Sequence, residues 1–512
     1  MIRTIEPLPR GDDPFPAHGI TRGSDGVARY DRLPASLLAM LRDYVDRTPN
    51  AEAVVEAGGE RVTYRQLWDR CARVAGGLRA HGVRRGDRAA IRLGNGLAWV
   101  EAFFGTLMAG AVAVPVNTRF AQPEVDYVVT DSGSSFVFAP DDALPHGEPF
   151  AVDDLGPNDT AGIFYTSGTT GFPKGAITTH AAFLTNCENM ARCLELPLEG
   201  GAQLRTLISV PLFHVTGCNS QLLTALYLGG SSVILPALDL GHLLRLIGEE
   251  RINFLVTVPA VYALAIANPA FARADVSAVQ RVGYGGAPIA PALVHRIKAA
   301  FPAGRVFNGF GMTESASLLT SLPDRYAEEH ADSVGFAVPV VDLALDAVDP
   351  HSGAGELLVR GPNITGGYWN KPEASAAALV DGWLRTGDLA KVAPNGLTYI
   401  VDRVKDMICR GGENVYCVEV ENALAGVPNV AEAAVIGVPD DVMGEKVGLV
   451  IVPATNAEID VHEIVASLRG KLADFKIPQF VAVRDSPLPR NPGGKVLKPL
   501  LRKETVWGRP LR

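Results

Sequence analysis

Cysteine is scarce in this 512-residue sequence, and what there is stands apart: Cys71, Cys187, Cys193, Cys218, Cys409 and Cys417 form no CxxC pair and have no His-rich companion segment. That spacing speaks against a zinc site, a redox pair or a disulfide framework, and the six read as reduced thiols of a cytoplasmic protein. Positive charge is also short. With 47 Lys and Arg against 56 Asp and Glu, the formal net charge is −9. Binding to nucleic acid is therefore not expected, because that affinity rests on basic side chains neutralising phosphates. No apolar stretch reaches membrane-spanning length, since the runs at 102–116 and around 222–244 are broken by Gly, Pro, Asp or His. The first residues, MIRTIEPLPRGDDPFPAHG, lack the apolar core of a signal peptide, and residues 1–30 read as a loose arm. Internal repeats and low-complexity tracts are absent as well.

What is present is a turn-rich globular composition, 47% hydrophobic with 53 Gly and 36 Pro, in a chain too long for one ordinary core. Residues 62–82 place apolar groups at helical spacing and end in His81-Gly82, predicting an amphipathic helix with a glycine stop. Helix and strand signals then alternate to about residue 310, which predicts a layered α/β body with largely parallel sheets. From about 334 to 402 short strands such as GELLVRG and LTYIVD suggest a small β-rich, barrel-like unit. A charged junction, DRVKD, marks a boundary at about 403–405. The expected domains are thus 31–403 and a small α+β domain over 404–512.

Five segments carry chemistry. Tyr165 to Gly175, YTSGTTGFPKG, follows a strand-like AGIF and is dense in hydroxyls and backbone N–H donors, a composition suited to wrapping phosphate oxygens. It is not a Walker loop, because Pro173 precedes Lys174 and Gly175 follows it. Gly285 and Gly286 end a strand-like run, where missing side chains let a flat base approach, and RVFNGFGMTE at 305–314 supplies a stacking face in Phe310. Glu314 offers a hard oxygen ligand for Mg²⁺ beside the Thr313 hydroxyl. Asp388, in DGWLRTGD, has the carboxylate to accept from two vicinal ribose hydroxyls, and Arg403 adds donors. GGENV at 411–415 and PRNPGGK at 489–495 complete the set. Taken singly, each has a plain structural reading: a polar turn, a surface carboxylate, a solvated lysine, or, for His214, a core histidine.

Taken together and in this order, the segments resemble those of the adenylate-forming superfamily, which comprises acyl-CoA synthetases, firefly luciferase-like enzymes and peptide-synthetase adenylation domains. The likeness runs over roughly residues 35–500 and is nearest to the fatty-acid and aryl-acid CoA ligase branch. It implies that Thr166, Ser167, Gly168, Thr169, Thr170 and Lys174 clamp the β- and γ-phosphates of ATP. It assigns Gly285, Gly286, Ala287, Pro288, Asn308, Gly309 and Phe310 to the nucleotide, Thr313 to the α-phosphate and Glu314 to Mg²⁺. Asp388 and Arg403 would hold the ribose. His214, Asn219 and Tyr284 would border the acyl pocket. Lys405 becomes the hinge of a mobile C-terminal lid, Gly411 and Gly412 line the tunnel for coenzyme A, and Lys495 reaches the substrate carboxylate and α-phosphate. Phe310 replaces the usual Tyr, Cys417 a frequent Pro, Gly494 a Thr or Ser, and Tyr284 a small Ser or Thr.

The implied reaction joins a small carboxylic acid to AMP, releases pyrophosphate, and passes the acyl group to the thiol of coenzyme A. Its catalytic residues would be Lys495, Thr313, Glu314 and His214, its partners small molecules, with no integral membrane attachment and with room for a homodimer. Two other readings stay open on sequence: an adenylating enzyme that loads a carrier protein, and a non-adenylating relative that only binds acyl-adenylate.

Overall fold

A computed structural model describes residues 5–166, 173–198, 203–287, 289–410, 413–424, 427–455, 457–469, 471–490 and 496–511. Long-range contacts divide the chain into two units. The first holds residues 1–344, 359–384 and 393–398, and the second holds 345–358, 385–392 and 399–512.

The first unit is built on two sheets. In the nine-stranded sheet, a parallel centre runs through Arg305–Met312, Arg281–Gly285, Phe254–Thr257, Arg205–Ile208, Ser231–Ile234 and Glu52–Glu56, with antiparallel strands at both edges. The five-stranded sheet is parallel except for its last pair, Thr160–Thr166 against Lys174–Thr179. Parallel strands need helical crossovers, which is why strand and helix alternate here. The predicted helix is Tyr64–Ala80. Thr63 and Gln66 close a reciprocal capping box at its start, a feature worth about 1 kcal/mol. Leu67, Cys71, Val74 and Leu78 bury its apolar stripe, and Gly82 follows at φ +87°. The run at 102–116 folds as the helix Leu97–Met108, buried on nearly every side, and the strand Val112–Pro115.

The amino-terminal stretch is not loose over its described residues. The Arg10 guanidinium donates to the carbonyls of Val341 and Ala337, each at 2.8 Å, and of Val338 at 3.0 Å. Tyr30 donates to Asn189 Oδ1 at 2.7 Å, and Arg22 pairs with Asp342. Short charged and proline-rich text conceals such anchoring, because the partners lie some 160 to 330 positions away.

In the second unit, Val430–Asp440 and Gly444–Pro453 form a long antiparallel hairpin with Phe480–Val483 added in parallel. Ile408, Val415, Val420, Val435, Leu449 and Leu468 sit in its core. The β-rich stretch expected over 334–402 is divided between the two units, since strand pairing rather than chain order decides membership. The strands Gly355–Arg360 and Trp383–Val392 each run through the division. Among the described residues, no helix is long and apolar enough to cross a membrane.

Candidate active site

Chemistry-bearing residues of the first unit gather where the strands of both sheets end. Thr166 and Lys174 face each other across the antiparallel pair, and the Thr166 hydroxyl donates to the Lys174 carbonyl at 3.4 Å. Ser167, Gly168, Thr169 and Thr170 fall between these two strands and lie outside the described residues, as does Pro288. Residues 365–369 run alongside the second strand. Ile177 N–H donates to the Gly367 carbonyl, Trp369 N–H donates to the Gly175 carbonyl, and Ala176 bridges Tyr368.

That placement brings Tyr368 to Glu314. The phenol donates to Glu314 Oε1 at 2.8 Å, and Lys174 Nζ lies 5.2 Å from the centre of the Tyr368 ring. Burial, followed by the neighbouring Glu314 charge, pushes the phenol well above its ordinary pKa, so it remains a donor at neutral pH. Thr365 N–H holds the Glu314 carbonyl at 2.7 Å. Glu314 itself belongs to the tight turn Thr313–Ser315, closed where Met312 N–H donates to Ser315 Oγ at 3.1 Å. Tyr368 was missed in sequence; the signal available was a tyrosine after two glycines in ITGGYWN.

No group of three or more His, Cys, Asp or Glu among the described residues forms a metal cage. Glu314 still suits Mg²⁺, which is commonly held by one or two carboxylates together with substrate phosphate and water. One carboxylate oxygen is fixed by Tyr368, and Oε2 has no partner among the described residues.

Gly285 pairs with Gly309 across neighbouring strands, so closely that a Cβ at 285 would stand 2.2 Å from the Gly309 carbonyl oxygen. Gly286 follows at φ +76°, a conformation other residues rarely adopt. Beside these glycines opens a cavity of about 70 Å³, with Phe310, Asn308, Met190, Val215 and Ser220 in its wall. Tyr284 lies on the same strand and is among the residues lining the cavity, while its ring packs with the buried cluster of Val282, Val306 and Ile297. Side chains alternate along a strand, so Gly283 and Gly285 face the opposite side from that ring. Asn219 is wholly buried and donates to the Ala316 carbonyl at 2.8 Å, tying the π-helical segment Thr216–Leu223 to the turn after Glu314. His214 stands two residues before that segment, its ring 4.6 Å from the ring of Phe213. Such π-helical turns often occur at functional sites.

In the second unit, Arg403 Nε meets Asp388 Oδ1 at 2.7 Å, with the Asp388 side chain 5% exposed and that of Arg403 37%. Gly387, at φ +71°, turns the chain so that its carbonyl receives Val404 N–H and Asp388 N–H reaches Thr386 Oγ1. Lys405 occupies an exposed turn between Thr398–Arg403 and Ile408–Arg410. Asp402 is buried and accepts from the N–H groups of Arg403 and Cys417; burial raises its carboxyl pKa to about 6. Gly411 and Gly412 follow Arg410, which pairs with Glu413, and Lys495 precedes Val496, which bridges Arg490; these three lie outside the described residues.

The chain matches the family model for AMP-binding enzymes over residues 41–369 and that for the AMP-binding enzyme C-terminal domain over 419–495. Feruloyl-CoA synthase of an Amycolatopsis species is 39% identical over 481 residues, covering 89% of this chain and 96% of that protein. Long-chain-fatty-acid–CoA ligase FadD13 of Mycobacterium tuberculosis is 36% identical over 502 residues, covering 91% and 97%. Among solved structures, o-succinylbenzoate CoA synthetase (MenE) of Bacillus subtilis, in complex with its acyl-adenylate intermediate, superimposes with a TM-score of 0.82 at 29% identity, covering 92% and 99%. With both family models matched in order and relatives aligned over nearly their whole length, the chain belongs to the AMP-binding enzymes of the adenylate-forming superfamily, in its acyl-CoA synthetase branch.

Proposed function

We propose that this protein is an ATP-dependent carboxylic acid:CoA ligase that works through an acyl-adenylate, with the site residues acting as follows. A carboxylic acid is already ionised at pH 7, since carboxyl pKa values lie near ~4, and no general base is needed. The obstacle is bringing one anion up to another. Catalysis therefore rests on neutralising charge and aligning the acid with the α-phosphorus. The observation that carries this reading is the Glu314 carboxylate, fixed by the Tyr368 hydroxyl with Lys174 beside that ring. Glu314 would hold Mg²⁺ together with phosphate oxygens, and the ion would add positive charge there. Thr313 orients the α-phosphate, and Thr166 to Thr170 with Lys174 grip the β- and γ-phosphates. Gly285 to Pro288, Asn308, Gly309 and Phe310 receive the base, while Asp388 and Arg403 receive the ribose.

Lys495 draws the acid's carboxylate and the α-phosphate together. Coenzyme A must then reach the carbonyl that this lysine crowds, so one geometry does not serve both steps. A rotation of the 404–512 lid about Lys405 withdraws Lys495 and presents Gly411 and Gly412 to the thiol arm. His214 and Asn219 stand at the acyl side. We place this chemistry in the cytoplasm with small-molecule partners. The direct test is acid-dependent exchange of pyrophosphate into ATP, followed by detection of a CoA thioester. Acceptance of a phosphopantetheinylated carrier in preference to CoA would shift the reading to carrier loading, and no exchange across a broad panel of acids would shift it to a non-adenylating relative.

A further inference from the structure

Most of the wall around the cavity beside Gly285 is glycine or apolar, with Met190, Leu194, Val215, Val256, Phe307 and Leu318 among its residues. Thr216, Tyr284 and Asn308 interrupt it, as do two serines. Ser220 comes from the π-helical segment and is 4% exposed; Ser317 opens the strand Ser317–Leu322 at φ +126°, deep in the left-handed region. Their hydroxyl oxygens lie 2.6 Å apart. The backbone around them is held from several directions. Asn219 grips the Ala316 carbonyl, and Ser315 Oγ donates to the Ser317 carbonyl at 2.9 Å. Non-glycine residues at positive φ cost about 1–3 kcal/mol and gather at functional sites. Here that conformation sets the Ser317 hydroxyl against Ser220.

Hydrogen accounting then gives a ligand preference. Two hydroxyls carry two protons, and their mutual bond uses one of them. Neither hydroxyl has another side-chain or backbone partner among the described residues, so one O–H of the pair remains to be satisfied at a mostly apolar wall. A hydrocarbon group pressed there leaves that donor desolvated and unpaired, whereas an oxygen of the bound acid accepts it. We propose that the cavity selects carboxylic acids whose largely apolar body carries an oxygen acceptor, a hydroxyl, ether or carbonyl, read by the Ser220–Ser317 pair. This rests on the reading of the chain as an acid:CoA ligase.

The test compares matched acids that differ by one oxygen: cinnamic against hydroxy- and methoxycinnamic acids, and straight-chain acids against keto acids of the same length. Pyrophosphate exchange and thioester formation are followed for each. At least one oxygenated acid is expected to exceed its plain counterpart by about ten-fold in kcat/KM, and the S220A/S317A double variant to bring that ratio within about two-fold of unity. Ser220→Thr, which keeps a hydroxyl, should retain the preference and thereby separate loss of the donor from loss of packing. Binding of AMP to the double variant, followed by calorimetry, checks that it is folded. Plain acids turned over as well as their oxygenated partners, or a ratio unchanged in a folded double variant, overturn the proposal while leaving the ligase reading standing. Failure of every acid in both sets to support exchange removes the ligase reading and this proposal together.

Discussion

The Tyr368 hydroxyl reaches the Glu314 carboxylate at 2.8 Å across 54 positions of chain. Because the phenol stays protonated, it fixes one carboxylate oxygen and leaves the other for the Mg²⁺ that we propose Glu314 holds. Tyr368→Phe keeps the ring beside Lys174 and removes only the donor. We expect adenylation to fall about ten-fold, the scale of one hydrogen bond to a charged group, with more Mg²⁺ needed for half-maximal pyrophosphate exchange. An unchanged Mg²⁺ requirement would detach Tyr368 from the Glu314 role.

Lys495→Ala should separate the two half-reactions. Acyl-AMP formation drops by at least ~100-fold as a positive charge leaves the transition state, whereas thioester formation from supplied acyl-AMP stays within a few-fold. Equal losses in both would contradict the division of labour.

Lys405→Pro fixes φ in the exposed turn and stiffens it. Thioester formation should suffer more than adenylation. Rates of pyrophosphate exchange and of CoA consumption, measured on one preparation, check the order; the reverse order refutes a hinge at this position.

Asp402 gives a pH dependence. Its carboxyl pKa is about 6 in the folded protein, raised mainly by burial, against about 4 in an unfolded chain. Between those values the folded state binds more protons than the unfolded state. Stability contributed by this group therefore falls as pH rises from about 4 to about 6, by on the order of 3 kcal/mol. Asp402→Asn retains an acceptor oxygen and removes the titration. Denaturant unfolding at pH 4.5, about half a unit inside that window, and at pH 7, about a unit above it, should show the variant gaining on the parent at the higher pH; parallel profiles would mean that Asp402 does not titrate in this range.

Much of the fold was legible because its signals are local. Apolar groups at helical spacing over 62–82 announce a helix, Gly82 ends it, and the alternation of elements implies a parallel sheet. The adenylating motifs likewise read as strand-end loops, and Thr166, Lys174 and Gly285 do stand at strand ends. Illegible features depend on register or distance. Tyr284 was expected at the acyl wall and does line the cavity beside Gly285; that its ring also packs with Val282 and Val306 is settled by neighbours that spacing does not reveal. Tyr368 could not be paired with Glu314 from spacing alone. Arg10 is anchored to carbonyls of residues 337, 338 and 341, which no local pattern announces. The mutual bond of Ser220 and Ser317 joins residues 97 positions apart.

The closeness of Gly285 to the Gly309 carbonyl bears on how variation at this position should be interpreted. An added methyl would strike the adjoining strand before it met any nucleotide, since the 2.2 Å clash is with backbone that has nowhere to retreat. Intolerance of alanine there would thus report the spacing of two strands in the scaffold, even in a descendant that had lost all use for ATP.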